Sequence, residues 1–120
     1  MRTGAPSRQL VHAEGGRDVC YVKDVARGIA LLQVADHLNH RTYNVADGRA
    51  TSNREIAAAI RNVLPGARVD LLPGHDPDSQ AQDTYLDITR IHQDTGYQPA
   101  YGLTRGIADY VDWLRAGHEY

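Results

Sequence analysis

Between residues 19 and 114 the sequence repeatedly changes period: a β-prone run, then a polar cap, then apolar residues three or four apart. Val19 to Val22 is such a run; Asp24 stands as an N-cap, and Val25, Ile29 and Leu32 follow along one stripe of a helix. Thr42-Tyr43-Asn44-Val45 reads as a second strand that stops at the Asp47-Gly48 turn. Ser52-Asn53-Arg54-Glu55 has the spacing of a capping box, ahead of Ile56, Ile60, Val63 and Leu64 on one helical face, and Pro65-Gly66 ends that helix. Val69, Leu71 and Leu72 suggest a third strand, and residues 73–83 are polar and rich in breakers, which predicts a surface loop. Asp87 caps a short helix that ends at Gly96, and the last helix carries Leu103, Ile107, Val111 and Leu114, flanked by Tyr110 and Trp113. Strands alternating with helices predict an α/β arrangement.

The totals narrow the functional classes. A chain of 120 residues is one domain of common size, able to bury roughly two thirds of its unfolded surface without a staple. The net charge of -2 gives no general pull toward nucleic acid or acidic lipid. A single cysteine excludes an internal disulfide framework, and no apolar stretch approaches the roughly 20 residues of a membrane span. "MRTGAPSRQL" holds no apolar signal-peptide core, so the expected location is cytoplasmic. Residues 1–14 carry little pattern and are expected to form a loose N-terminal arm, with residues 15–120 as the folded region.

Several chemistries lack their residues. None of the 11 glycines falls into Gly-x-Gly-x-x-Gly, and the only lysine, Lys23, is followed by Asp24, so neither a dinucleotide turn nor a phosphate loop is encoded. Cys20 lies in an apolar run, where burial raises a thiol pKa and leaves it inert. His37 and His40 near a helix end could share a face, but lack a third ligand nearby, and no metal site is expected. His75, Asp76 and Asp78 suit turn chemistry better than hydrolysis.

The string Arg17-Asp18-Val19-Cys20-Tyr21-Val22-Lys23-Asp24-Val25-Ala26 resembles the R-D-x-x-Y-V-x-D-V-A signature of the extended short-chain dehydrogenase/reductases (extended SDRs), the NAD-dependent epimerase/dehydratase family. Later landmarks come in the family's order: Tyr43-Asn44-Val45-Ala46, Ser52-x-x-Glu55-Ile56, Asp87-Ile88-Thr89-Arg90, Thr95-Gly96-Tyr97-x-Pro99 and Leu103-x-x-Gly106-Ile107. The resemblance covers residues 14–116. It implies a fragment of a Rossmann-type enzyme, mainly the small C-terminal substrate-binding region with helices and a few short strands.

By the same resemblance Arg17 reaches the diphosphate of a sugar-nucleotide substrate, a task that suits the fixed donor fork of a guanidinium; the plain alternative is a partner for Asp18 or a solvated charge. Asn44 either presents its amide to the site or bonds to backbone. His75 stands where many members carry a second arginine, and Val19 replaces an aromatic residue that some epimerases have near the nucleotide. Both departures leave room for a free sugar acid. The family's Tyr-x-x-x-Lys pair is impossible here, because the residue four before Lys23 is Val19. No catalytic residue is therefore assigned: the chain is expected to be inactive and to bind no cofactor alone, with NAD(P) implied for the complete enzyme. The expected partners are a sugar or sugar-nucleotide substrate and either the missing cofactor-binding half or a second copy, since strand Thr42–Val45 belongs at the edge of a large sheet in the family's topology. A noncatalytic ligand-binding or oligomerisation module is the alternative.

Overall fold

The computed structural model describes residues 11–78 and 83–118. Within them the chain is a small α/β fold of two short strands and four helices: β1 (Arg17–Asp18), α1 (Val22–Val34), β2 (Ala50–Thr51), α2 (Asn53–Val63), α3 (Thr89–Thr95) and α4 (Leu103–Arg115). The strands pair antiparallel, Arg17 opposite Thr51 and Asp18 opposite Ala50. The loose arm expected over residues 1–14 lies outside the described residues up to residue 10. Residues 11–14 are tied to the body: the Ala13 amide donates to Leu72 O at 2.7 Å, the Glu14 amide to Gly74 O at 3.1 Å, and Ala13 O accepts from the Arg54 amide at 2.9 Å.

Helix starts and stops follow local chemistry in most places. The Ser52 hydroxyl accepts from the Glu55 amide at 3.2 Å, one half of a capping box; the Glu55 carboxylate turns instead to Arg49 at 2.7 Å. Asp87 accepts from the Thr89 amide at 2.8 Å ahead of α3, and Gly96 closes that helix with φ +78°, a conformation that favours glycine. The aliphatic stripe of α4 is half-buried against α2.

Three elements depart from the sequence reading. The first strand falls at Arg17–Asp18 rather than Val19–Val22, and α1 begins at Val22, which places Asp24 inside the first turn and not at the cap. The reason is tertiary: Asp24 is fully buried, and its carboxylate accepts from the amides of Ala100 at 2.8 Å and Tyr101 at 3.0 Å. Residues 42–45 form no strand, having no backbone partner among the described residues. The run at residues 69–72 is reduced to a single parallel bridge between His12 and Leu72.

The core gathers where α1, α3 and the residues before β2 meet. Ile91 and Tyr97 are fully buried with Ala46, and the Tyr97 hydroxyl donates to Ala46 O at 2.9 Å. α1 crosses this core through Gly28, where a Cβ would lie 2.5 Å from Val45 Cγ1 and 3.1 Å from the Tyr97 ring. The opposite flank of α1 is uncovered, with Val22 66%, Ile29 55% and Val34 73% exposed. No helix among the described residues is long and apolar enough to cross a membrane.

Candidate functional site

β1 fixes two adjacent side chains with different tasks. Asp18 turns inward: Oδ1 accepts from the Asp47 amide at 2.9 Å, while Oδ2 accepts from Gly48 at 2.9 Å and Leu86 at 3.2 Å. Three amides thus occupy the carboxylate that could otherwise have answered Arg17. Arg17 turns outward, exposed, with a long 3.5 Å contact from its guanidinium to Asn53 Oδ1 and no ion pair among the described residues. An exposed guanidinium without a carboxylate partner is free to take an external anion.

The loop carrying His75 docks beside it. The Glu14 amide donates to Gly74 O, and His75 Cδ2 lies 3.8 Å from where a Cβ on Gly15 would stand, two residues before Arg17. Gly15, at φ +91°, and Gly16 let the chain turn there; a Cβ on Gly16 would meet Ala50 Cβ at 2.9 Å. The fold therefore brings the His75 loop to the approach to β1. Asn44 sits elsewhere: its amide donates to Asp87 O at 3.0 Å, in a recess of about 250 Å³ shared with Thr42 and Arg90. Of its two readings, the backbone bond is the one this geometry contains. α1 ends at Val34, so His37 and His40 lie beyond it and share no helical face.

A second feature went unread in the sequence. A pocket of about 400 Å³ opens between the β1–α1 turn and the start of α4, its wall including Val19, Tyr21, Asp47, Arg49, Tyr101 and Tyr110. Its tyrosines are held from behind. The Tyr21 hydroxyl donates to Asp109, which also pairs with Lys23 at 2.8 Å, and the Tyr21 ring lies 4.9 Å from that of Tyr101. Gly106 admits this arrangement, because a Cβ there would stand 3.3 Å from the Tyr21 ring. A glycine inside an amphipathic helix was the available signal of close approach.

Burial dominates the electrostatics of these groups. Burial, and then the bond to Asp109, push the Tyr21 hydroxyl up to about 12, so it stays protonated at neutral pH. Burial also raises the Cys20 thiol, which sits 3.7 Å from the Tyr97 hydroxyl. Burial, with Asp18 nearby, raises the Asp47 carboxyl. Among the described residues no glycine-rich turn joins a parallel strand to a helix, and Lys23 pairs with Asp109 at 2.8 Å.

No protein-family model matches the chain. A dTDP-glucose 4,6-dehydratase of Actinoplanes sp. is 29% identical over 109 residues, 87% of this chain and 32% of that protein. Among solved structures, the enzyme WbmF of Bordetella bronchiseptica, in complex with NAD+ and UDP, superposes with a TM-score of 0.69 at 22% identity, over 91% of this chain and 32% of that one. An L-threonine dehydrogenase of Phytophthora infestans superposes with a TM-score of 0.72 at 21% identity, over 91% of this chain and 36% of that one. The chain thus spans about a third of the length of the proteins it matches.

Proposed function

This chain belongs to the extended SDR, NAD-dependent epimerase/dehydratase family over the stretch it shares with these proteins, and from that premise we propose that it is the substrate-holding portion of a sugar-nucleotide dehydratase or epimerase. The observation that carries the reading is Arg17: the family's signature arginine is exposed, without an ion pair among the described residues, while the aspartate beside it is spent on three amides. In this reading Arg17 grips the substrate's diphosphate through charge-assisted bonds, and His75 takes the supporting place that an arginine fills in many relatives. Asn44 serves the fold rather than the ligand.

The chain does not run the reaction by itself. Its one lysine has Val19 four residues earlier, so the tyrosine–lysine pair that moves the proton and the glycine turn that holds NAD(P) must come from elsewhere. A cytoplasmic setting, with the cofactor-binding portion as partner, belongs to the same reading. The noncatalytic alternative draws on one observation, the uncovered apolar flank of α1.

The test uses the chain reconstituted with the cofactor-binding portion of a relative. Replacing Arg17→Ala is expected to raise KM for a sugar nucleotide by about tenfold to a hundredfold, the loss of one or two charged bonds, with affinity for the nicotinamide cofactor unchanged. An unchanged KM contradicts the anion role.

A further inference from the structure

The one contact printed for the Arg17 guanidinium is chemically selective. Asn53 stands two residues past Thr51, the cross-strand partner of Arg17, and opens α2 with a half-buried side chain. Its Nδ2 donates to His12 O at 2.9 Å; a carbonyl oxygen can only accept, so the carboxamide is fixed with Oδ1 turned the other way. There Oδ1 meets Nη2 of Arg17 at 3.5 Å. The support behind it is anchored in turn. His12 is bridged to Leu72, whose amide donates to Val11 O at 2.9 Å and whose carbonyl accepts from Ala13 at 2.7 Å. Next along α2, the Arg54 amide donates to Ala13 O at 2.9 Å and its guanidinium pairs with Glu14 at 2.6 Å. The two carboxylates nearest to Arg17 in sequence are thus spent, Asp18 on amides and Glu14 on Arg54, and the acceptor that Arg17 meets among the described residues is neutral.

We propose that Asn53 is a positioning residue for Arg17: it steadies one arm of the guanidinium and, being uncharged, leaves the whole cation to an incoming diphosphate. The inference deepens the anion role of Arg17 and rests on it. A contact at the long end of hydrogen bonding restrains the side chain without holding it away from a ligand. A guanidinium already restrained loses less rotamer freedom when the anion arrives, and such preorganisation raises affinity. An aspartate of the same shape would do the reverse on both sides. It would have no donor for His12 O, and it would form an ion pair that opposes the anion.

Titration calorimetry of the chain with pyrophosphate, which carries the diphosphate without base or sugar, tests the proposal. Arg17→Ala should abolish binding, Asn53→Ala should weaken it by about threefold to tenfold, and Asn53→Asp, which keeps the shape, by roughly tenfold or more. In an Arg17→Ala background Asn53→Ala should change nothing further, an outcome that a purely structural role would not produce. NMR relaxation at Arg17 Nε should show faster side-chain motion in Asn53→Ala than in the native chain. Native affinity in both Asn53 variants, with binding still lost in Arg17→Ala, overturns the positioning role and leaves the anion role standing. Binding by Asn53→Asp as tight as by Asn53→Ala overturns the claim that a neutral acceptor matters. A native chain that binds no pyrophosphate, or binding that Arg17→Ala leaves unchanged, overturns the anion role and this inference with it.

Discussion

At Asp24 a fully buried carboxylate holds two amides from residues 100 and 101, far along the sequence, and is braced by Arg27 at 3.5 Å. Its place before an apolar stripe looks like a cap, because capping is a local pattern; the amides that claim it are 76 and 77 residues away, beyond the reach of any spacing rule. Asp94 makes a similar long-range clasp at the other end of the core, taking the Tyr43 hydroxyl and both the amide and side chain of Asn39. Tyr43 first, then Asn39, hold its carboxylate down from the ordinary 3.8 to about 2. The folded chain therefore keeps the charged form longer than the unfolded chain does. The support is complete above roughly pH 4 and is lost as the pH falls toward the folded value. Thermal melts of the native chain and of Asp94→Ala should differ near neutral pH and converge as the pH approaches that value; a difference that stays constant would remove Asp94 from the clasp.

Among the elements, α2 and the end of α3 were legible because Ser52 and Gly96 act on amides within their own turn. The first strand was misplaced by two residues because its partner, Ala50–Thr51, lies beyond a helix and a long loop, and pairing decides where so short a strand sits. The pocket beside Tyr21 was missed for a related reason: Gly106 signals close approach without saying to what. α1 supplies a sharper test of packing against propensity. An alanine at Gly28 gains about 1 kcal/mol of helix preference but drives a methyl into Val45 and Tyr97, so Gly28→Ala should destabilise by about 1–3 kcal/mol in chemical denaturation. Gly66, with nothing within 4 Å of its would-be Cβ, is the control, and Gly66→Ala should be neutral or slightly stabilising. Equal effects at the two sites would mean that α1 does not approach Val45 so closely.

Taken whole, the described residues have a small buried core and a helix flank left open. The chain spans about a third of the length of the relatives it matches, and its proposed partner is the cofactor-binding portion. One ten-residue string singles out Arg17, whereas which residues stand near it depends on a loop that docks through Glu14 and Gly74, beyond any local pattern. The direct test is chromatographic conversion of a panel of sugar nucleotides in the presence of NAD(P)+, with the purified chain alone and then mixed with the cofactor-binding portion of a relative, because epimerisation and dehydration return the hydride and leave no net change in nicotinamide absorbance. Turnover is expected in the mixture and none from the chain by itself. Conversion of a sugar nucleotide by the chain alone, or a mixture inert across the whole panel, would contradict a substrate-holding wall that lacks its own redox machinery.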